Sequence, residues 1–492
     1  MRVLLYNPRS SANRKPILPM SLLALDAVLD DRHEVAIVDG TLDRDAVGTL
    51  DRLIGADAAQ TVLGVTVMPG PQLEEAVPLC RGLKQRHPAL TVVWGGYFPS
   101  QHWDVCLRSD FVDYVVRGHG ERVFAELVSA LENGADAVTG IAGVAWRQDG
   151  EPHAGRPAPI PHPDRQPAWN YDRIDMPSYL RRTFLGRRTV AAHTSYGCPY
   201  FCNFCAVVTM VDGRWKPQSA ERAAATFSEY RRRWDVDAVE LADNNFFVHE
   251  ARVAEFADRV RPLDMAWWGE GRIDTLLGYD PETWRTMRDS GLKMVFLGAE
   301  SGSAETLERM DKGGQVSPAK TLELVRLMRG WGIVPELSFV LGNPPEPEAD
   351  AARTMEFIRE VKRINPATEI ILYLYTPVPL AGELLREASA SGFAFPETLD
   401  EWVSADWLDF AQRRSRTMGW IRPTLTQRIR DFERVLNAYY PTTTMTSMGR
   451  VERLVLRALA AWRYHARAYS WPLELAAVHR MIHYQRPETT GF

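Results

Sequence analysis

Three of the five cysteines lie within eight residues, and this segment constrains the fold more than any other part of the 492-residue chain. Cys198, Cys202 and Cys205 are spaced C-x3-C-x2-C and directly follow residues 189–193, an apolar segment typical of a β-strand. A short loop after a strand can wrap a single metal cluster with closely spaced thiolates. Thiolates are soft, charged ligands that suit iron–sulfur clusters, so the spacing predicts a [4Fe–4S] cluster whose fourth iron has no protein ligand.

Two other uses of these cysteines agree less well with the sequence. A structural zinc site usually takes four ligands in two separated pairs. The nearest further candidates are His193 on the preceding strand and, about a hundred residues upstream, Cys80 and Cys106. A disulfide framework requires an oxidising compartment and an even set of cysteines, whereas five cysteines in so long a chain fit a reducing one.

Residues 1–150 alternate strand-like and helix-like segments, which predicts a doubly wound parallel sheet. Such sheets bind ligands beyond the carboxyl ends of their strands. Glycines and polar turns collect at those ends, in residues 66–70, 95–100 and 118–121. Glycine permits positive φ and close backbone approach, although ordinary strand-to-helix turns also contain it.

The alternation resumes after residues 151–185, which are rich in proline and predict an extended linker. Six further strand-like segments follow, and each except the last precedes a helical pattern. They lie at residues 189–193, 238–242, 265–272, 294–302, 334–343 and 369–376.

The cysteine spacing, with the aromatic Phe204 before the last cysteine, resembles the signature of the radical S-adenosylmethionine (SAM) superfamily. The resemblance implies a partial (β/α)6 barrel in which SAM chelates the open iron and is cleaved to a 5′-deoxyadenosyl radical. The doubly wound domain, with G-G-x-x-P-[ST] and G-x-G-E motifs ahead of the cysteines, resembles the cobalamin-binding class of that superfamily. The resemblance extends from residue 1 to about residue 385.

This resemblance implies an α/β chain with four parts. Residues 1–150 would form the Rossmann-like cobalamin-binding domain, residues 151–185 the linker, residues 186–385 the radical SAM barrel, and residues 386–492 a helical C-terminal domain.

The resemblance also implies SAM contacts at the carboxyl ends of the barrel strands. Asp243 stands where many members have a turn that binds the SAM amine, and Arg272 has the guanidinium fork that suits the SAM carboxylate. Each of these residues could instead satisfy loop backbone at the barrel rim. The implied set is Phe204, Asp243, Arg272, Glu300, Ser301 and Gly342.

For cobalamin the resemblance implies contacts from the glycine loops of the N-terminal domain. The implied set is Thr66, Met68, Gly95, Gly96, Gly118 and Glu121. Proteins that ligate cobalt through histidine carry D-x-H-x-x-G; Asp31 and His33 begin this pattern, but Ala36 replaces its glycine. We therefore expect no histidine ligand to cobalt, and we interpret His119 as a hydrogen-bonding loop residue.

The C-terminal residues carry apolar side chains at helical spacing, at 428–436 and 450–462. From Arg413 onward arginine far outnumbers acidic residues, and tryptophan and tyrosine are interspersed. Such a segment could lie on an anionic membrane surface or cap the active site, although a helical subdomain with a solvated basic face is the commoner explanation.

Composition restricts the partners. A net charge of −5 with 25% charged residues gives no indication of nucleic-acid binding. No apolar run approaches the ~20 residues that cross a bilayer, and the first residues resemble a strand rather than a signal peptide. We expect a cytoplasmic protein, for which the resemblance implies flavodoxin or ferredoxin as electron donor.

The function implied is a cobalamin-dependent C-methyltransferase that acts on an unactivated carbon. The deoxyadenosyl radical would remove a hydrogen, methylcobalamin between the two domains would supply the methyl group, and a second SAM would restore it. Because the cofactors break the bonds, no side chain is predicted to act as a general acid or base.

Two alternatives stay open. Some members of the class close or rearrange rings with both cofactors and without methyl transfer, including anaerobic closure of the fifth ring of magnesium-porphyrin esters. The second alternative is not an enzyme: a non-catalytic module that holds zinc or a sensing cluster. Methylthiolation of nucleic acid is disfavoured, because such enzymes carry a further N-terminal cysteine triad. A lipid, a tetrapyrrole and a natural-product intermediate suit the sequence equally well as substrates.

Overall fold

A computed structural model of the chain describes residues 1–10, 16–29, 33–312, 316–411, 419–442, 444 and 448–481. The first seven strands form one sheet in the order β2-β1-β3-β4-β5-β6-β7. They are β1 (Arg2–Asn7), β2 (Glu34–Asp39), β3 (Thr61–Thr66), β4 (Thr91–Gly95), β5 (Tyr114–Val116), β6 (Val144–Gln148) and β7 (Glu151–Ala154). The helices beside them are α1 (Met20–Asp26), α2 (Ala46–Ile54), α3 (Pro71–Arg86), α4 (Tyr97–Gln101), α5 (Trp103–Leu107) and α6 (Glu121–Asn133).

This N-terminal sheet is buried on both faces, which explains the continuous apolar runs of its strands. Along β1, Leu4 and Tyr6 join one core cluster and Val3 and Leu5 join the other, because successive side chains point to opposite faces. Strands β1 to β5 pair in parallel, so the predicted doubly wound sheet is confirmed. Strands β6 and β7 extend it antiparallel, which the sequence pattern does not predict.

The second large sheet has six parallel strands in the order β8-β11-β12-β13-β14-β15. They are β8 (Thr189–Ala192), β11 (Ala238–Leu241), β12 (Ala266–Gly271), β13 (Leu292–Glu300), β14 (Val334–Leu341) and β15 (Glu369–Leu374). Strands β9 (Ser195–Gly197) and β10 (Trp215–Pro217) form a separate antiparallel pair. The helices are α7 (Val207–Val211), α8 (Ala220–Trp234), α9 (Glu250–Val260), α10 (Ile273–Leu277), α11 (Pro281–Asp289), α12 (Ala304–Arg309), α13 (Pro318–Trp331) and α14 (Pro347–Ile364).

The first and last strands of this sheet are not neighbours, so the six predicted strands form an open, partial barrel. Alternate residues point outward to the helices or inward to the lumen. On β12, Trp267 packs outward against Phe246 and Phe256, with ring centroids 5.8 and 5.5 Å away. Its neighbour Trp268 points inward and lies 6.3 Å from the ring of Phe296.

The first four residues of the predicted linker form β7 of the N-terminal sheet, and the rest contains short 3-10 turns and joins the two sheets through polar contacts. The Tyr179 hydroxyl donates to Asp39 Oδ2 at 2.8 Å, which connects the linker to the carboxyl end of β2. Arg173 pairs with Asp26 at 3.1 Å, and the hydroxyls of Tyr171 and Tyr230 lie 3.0 Å apart. These contacts fix the position of one sheet relative to the other. The turns lie at Pro163–Arg165, Tyr171–Arg173 and Met176–Tyr179.

The C-terminal part is helical, as predicted. Its helices are α15 (Glu383–Ala390), α16 (Leu399–Trp402), α17 (Ala405–Ala411), α18 (Pro423–Tyr439), α19 (Arg450–Ala466) and α20 (Leu473–Met481). Trp402 packs on Phe98 of the N-terminal sheet at 4.9 Å, whereas Trp420 and Phe432 join the core of the barrel. Within the described part of the chain, no helix is both long and apolar enough to cross a bilayer.

Candidate functional site

The carboxyl ends of the two sheets face each other across one crevice. Helix α4, which follows the glycines of the N-terminal sheet, packs against α7, which follows the predicted cluster cysteines. Gln101 Nε2 donates to Ala206 O at 3.4 Å, and the rings of His119 and Tyr196 lie 4.3 Å apart. The structure therefore brings both sets of predicted cofactor residues to one place.

The loop that carries the three cysteines begins at Gly197, a position that no other residue type can occupy. Gly197 has φ +80°, and a Cβ atom there would lie 2.1 Å from the carbonyl oxygen of Arg214. This turn directs the chain from β9 into the loop. Cys202 is buried, and Cys198 and Cys205 are half-buried.

Burial raises the pKa of all three thiols, that of Cys205 to about 12. The charges of Lys312 and Arg272 act in the opposite direction and lower the pKa of Cys202 and Cys198. The thiols are close enough that the charges of Cys198 and Cys202 raise the pKa of Cys205. Binding to a metal cluster would supply the positive charge that stabilises three thiolates together.

N–H donors approach two of the sulfurs. Arg272 Nη1 lies 3.6 Å from Cys202 Sγ, and Asn245 Nδ2 lies 3.9 Å from Cys198 Sγ. Such donors tune iron–sulfur clusters. The oxygens Asn245 Oδ1 and Asn203 Oδ1 are buried and have no hydrogen-bond partner among the described residues, which leaves polar atoms for a further ligand. The residues present therefore fit a cluster with an additional small molecule.

In the described ranges, no three histidine, cysteine, aspartate or glutamate side chains converge as ligands of a single metal ion would. A [4Fe–4S] cluster instead distributes its thiolates over separate irons.

Asp243 lies beneath the cysteine loop, completely buried. Its oxygens accept hydrogen bonds from the backbone N–H of Thr194, from the Thr194 hydroxyl at 2.6 Å and from the Ser195 hydroxyl at 2.9 Å. It thereby fixes the segment between β8 and β9. Its contact with the SAM amine stays a prediction.

Arg272 joins the cysteine loop to the barrel. Its guanidinium bonds Asp274 at 3.0 and 2.8 Å, donates to Lys312 O at 2.5 Å and lies 3.7 Å from the ring centroid of Tyr200. These partners, together with Cys202, surround the group that is predicted to meet the SAM carboxylate. That contact also stays a prediction.

Glu300 ends β13 with φ +62° and pairs with Lys312, Nζ to Oε1 2.5 Å. Lys312 Nζ also donates to Gly298 O. A Cβ at Gly298 would lie 2.0 Å from Glu300 Oε1 and 2.4 Å from Lys312 Nζ, so glycine makes room for this buried ion pair. Lys312 is a site residue that no sequence motif indicates.

The remaining predicted SAM residues lie after β13, after β14 and in the cysteine loop, and the first two, Ser301 and Gly342, are buried. The Ser301 hydroxyl donates to Asp350 Oδ1 at 2.9 Å. Gly342 has φ +77°, and its carbonyl accepts from Trp420 Nε1 at 3.0 Å, so the C-terminal part covers the turn after β14. Phe204 packs partly buried against the barrel core. Their contacts with SAM stay predictions.

The predicted cobalamin residues lie together at the carboxyl edge of the N-terminal sheet. Gly96 has φ +96°, and a Cβ there would lie 3.0 Å from Thr66 Oγ1. Ser100 links the glycine loops, because its hydroxyl donates to Gly96 O at 2.6 Å and accepts from Gly118 N at 2.9 Å. Gly95 O accepts from Val67 N at 2.9 Å, and Met68 N donates to Gln72 Oε1 at 2.9 Å.

This edge suits a large polar cofactor. A Cβ at Gly118, where φ is +76°, would have only Met210 O nearby, at 3.9 Å, so the backbone borders open space. Glu121 is buried and its Oε2 has no hydrogen-bond partner among the described residues. An unpaired carboxylate oxygen near this edge fits the amide N–H groups of cobalamin, which can donate hydrogen bonds to it.

The two histidines differ in position. His33 immediately precedes β2 at the opposite edge of the sheet, with Nδ1 3.4 Å from Glu132 Oε1. Asp31 of the incomplete motif lies outside the described residues. Burial lowers the pKa of His119 to about 4, so this ring is neutral where it packs on Tyr196.

The sequence motifs missed two carboxyl groups in the barrel lumen. Glu270 on β12 and Glu336 on β14 point inward, and Trp268 Nε1 donates to Glu336 Oε2 at 2.8 Å. Burial, followed by the charge of Glu336, raises the pKa of Glu270 to about 8. Burial raises the pKa of Glu336 to about 7. Side chains alternate between the two faces of a strand, so the positions of these glutamates along two predicted strands could have indicated that they point into the lumen.

Comparisons with known proteins agree with this architecture. A family model for the B12 binding domain matches residues 14–128, and the radical SAM superfamily model matches residues 193–358. An uncharacterized methyltransferase of Pyrococcus horikoshii is 26% identical over 370 residues, which cover 73% of this chain and 78% of the relative. The anaerobic magnesium-protoporphyrin IX monomethyl ester cyclase of Synechocystis sp. is 26% identical over 377 residues, 74% of this chain and 72% of the cyclase.

A solved structure has the same fold. TsrM from Kitasatospora setae, a radical SAM methyltransferase with cobalamin and a [4Fe–4S] cluster bound, superimposes with a TM-score of 0.63 at 21% identity. The match covers 80% of this chain and 75% of TsrM.

The matched regions include β2 to β5 of the N-terminal sheet and β11 to β14 of the second large sheet, whose carboxyl edges form the crevice. The N-terminal match ends within α6, and the second begins at His193, just before the cysteine loop. The chain belongs to the radical SAM enzymes that carry a cobalamin-binding domain.

Proposed function

We propose that this enzyme is a C-methyltransferase that replaces a C–H bond of a small molecule with a C–CH3 bond. The observation that carries the proposal is the single crevice shared by the glycine loops and the cysteine loop. A Cβ atom added at Gly118 in the N-terminal sheet would lie 3.9 Å from the carbonyl oxygen of Met210 in α7. A substrate in this crevice would meet both cofactors without moving between separate sites.

The chain's own part is to bind, orient and shield. When bound, the cluster with SAM would supply hydrogen-atom abstraction, and methylcobalamin would supply the methyl group. Cys198, Cys202 and Cys205 would hold the cluster, and Arg272, directly after β12, would hold the cysteine loop in place through its contacts with Cys202 and the Tyr200 ring. The Gly96 and Gly118 loops would hold the corrin beside them.

The barrel lumen is the proposed place for the substrate. Its inward-facing side chains include Trp268, Phe296, Glu270 and Glu336, and the crevice lies at the carboxyl ends of the same strands. Aromatic walls would pack on an apolar skeleton. Carboxyl groups with pKa values of about 8 and about 7 stay largely protonated or titrate near neutral pH, so they can donate as well as accept hydrogen bonds to substrate oxygen or nitrogen.

Ring closure without methyl transfer is the second candidate. The similarity to a magnesium-protoporphyrin ester cyclase favours it, since that relative covers nearly the same share of this chain as the methyltransferase relative. Both reactions need the two cofactors, but only methyl transfer consumes SAM as a methyl donor.

We further propose that an external flavodoxin or ferredoxin reduces the cluster and that the enzyme acts in the cytoplasm. The half-buried position of Cys198 and Cys205 leaves the cluster loop near the surface. All five cysteines are free in the structure, which agrees with a reducing compartment.

The products distinguish methyl transfer from ring closure. Reconstituted enzyme with cobalamin, a reductant and SAM carrying a deuterated methyl group is incubated anaerobically with fractionated small-molecule extracts. We expect a product that carries the labelled methyl group, with S-adenosylhomocysteine and 5′-deoxyadenosine formed in equal amounts, measured by mass spectrometry. Deoxyadenosine with an unlabelled, hydrogen-depleted product and little S-adenosylhomocysteine would instead establish the cyclase-type reaction.

Loss of one cluster ligand should remove iron and leave cobalamin. For Cys202→Ala we expect iron and sulfide to fall from about four per chain to well below one and SAM cleavage to cease, because two thiolates cannot retain the cluster. Bound corrinoid should stay at the wild-type amount. Cys106→Ala, a buried cysteine of the N-terminal core, is the matched control and should keep its iron. Equal iron in both variants would contradict the cluster assignment.

A side chain at Gly118 should block cobalamin without affecting the cluster. Gly118→Val would project into the crevice, so we expect at least about tenfold less bound corrinoid after purification with hydroxocobalamin, with iron unchanged. Gly134→Val is the matched control: its glycine also has positive φ and an unobstructed Cβ position, but it is exposed at the other end of α6. Normal corrinoid in Gly118→Val, or an equal loss in both variants, would count against the proposed site.

The lumen carboxyl of Glu270 should make stability depend on pH. Its folded pKa of about 8 exceeds the ordinary 4.5, so the unfolded chain releases the proton first and the folded state loses about 1.4 kcal/mol of stability per pH unit between these values. Glu270→Gln should therefore raise the unfolding free energy more at pH 8 than at pH 5, by about 2 kcal/mol or more. Urea denaturation of the apoprotein measures this difference.

Glu282→Gln, at an exposed carboxylate on α11, is the control for the pH series. It should change the unfolding free energy equally at both pH values. The same behaviour in Glu270→Gln would mean that this carboxyl is not held protonated in the lumen.

A further inference from the structure

Helix α19 exposes a continuous apolar stripe. Val451, Leu454, Val455, Leu459 and Trp462 are 74, 69, 46, 36 and 57% exposed. Their spacing of three, four, eight and eleven residues from Val451 places them on one face of the helix. An ordinary surface helix buries such a face, whereas this one presents it to solvent.

The opposite face of the same helix is packed against the protein. Leu456, Ala460 and Tyr464 are buried, and the ring of Tyr464 stacks on Tyr439 of α18 at 4.4 Å. The helix is therefore held in place by one face while the stripe points outward. Immediately after it, Trp471 and Leu473 are each 69% exposed and add to the apolar surface.

The surroundings of the stripe are basic. Residues 419–481 contain ten arginines and four acidic residues, although the whole chain has a net charge of −5. Arg450 and Arg457 are exposed on the flank of α19. Arg467 at its end is also exposed, but it pairs with Glu356 at 2.9 Å. Apolar and cationic groups thus share one surface.

We propose that this surface docks on an anionic phospholipid bilayer, with α19 parallel to the membrane plane and the stripe at the boundary between headgroups and acyl chains. The combination of a basic flank with tryptophan and leucine on the apolar face is that of interfacial helices. Tryptophan favours this boundary because its ring is apolar and its N–H is polar. Each arginine near an anionic surface adds electrostatic attraction.

Charge decides between a membrane and a second copy of the chain. A symmetric dimer through α19 would bring the same arginine-rich surface of each copy together, and like charges would oppose that contact. An anionic bilayer both covers the apolar stripe and neutralises the arginines. The proposal does not rest on the proposed reaction, since binding can be measured without turnover.

The test is co-sedimentation of the full-length holoenzyme with vesicles. We expect at least about tenfold tighter binding to phosphatidylcholine vesicles with about 30% phosphatidylserine than to phosphatidylcholine alone, and weaker binding as salt is raised. The double variant Leu454→Glu/Trp462→Glu should lose at least about tenfold in affinity for the anionic vesicles.

Val47→Glu is the matched control, because it changes an apolar side chain of α2 that is 42% exposed at a distant surface. It should bind as the wild type does. Absence of binding to anionic vesicles, or equal binding by the double variant, would overturn the proposal. So would sedimentation showing a wild-type dimer that the double variant abolishes, because the surface would then be an interface between copies.

Discussion

The structure depends on the requirement that a parallel sheet be covered on both faces. Helices cover the faces, so the carboxyl edge, where backbone and loops stay accessible, is the part of each sheet that can bind a large cofactor. This chain has two such sheets and sets their edges opposite each other. The linker fixes that arrangement through buried contacts, among them the Tyr179 hydroxyl on Asp39. A single crevice with two cofactor platforms is the consequence.

At the crevice the protein must keep thiolates, carboxylates and cations together at low exposure to water. Arg272 meets this requirement by contacting Cys202, Asp274 and the Lys312 carbonyl at once. Lys312 in turn compensates the buried Glu300. Leaving any of these charges unpaired would cost several kcal/mol, so the network orders the loop before a cofactor binds. Residues predicted as SAM contacts thus also hold one another in position.

The C-terminal helices have an inner surface that packs on the barrel and an outer surface that faces solvent, and we assign a different role to each. Trp420 and Ile421 approach Gly342 and cover one side of the crevice, while the outer face of α19 remains apolar and exposed. An enzyme that acts on apolar substrates would benefit from contact with the membrane in which they dissolve. The inner surface serves the proposed reaction, and the outer surface serves the proposed docking on a membrane.

The sequence by itself determined the two blocks of alternating strands and helices, the six barrel strands and the three-cysteine loop, because each rests on periodicity or spacing within a few residues. It did not reveal β6 and β7, whose pairing forms an antiparallel extension of the sheet. Only the tertiary structure decided that Arg272 meets Cys202, that Lys312 meets Glu300 and that Glu270 and Glu336 share the lumen. Those partners are brought together by strand register and crossovers, which join residues far apart in the chain. The exposure of the α19 stripe was decided in the same way, since an amphipathic pattern does not say whether the apolar face finds a neighbour.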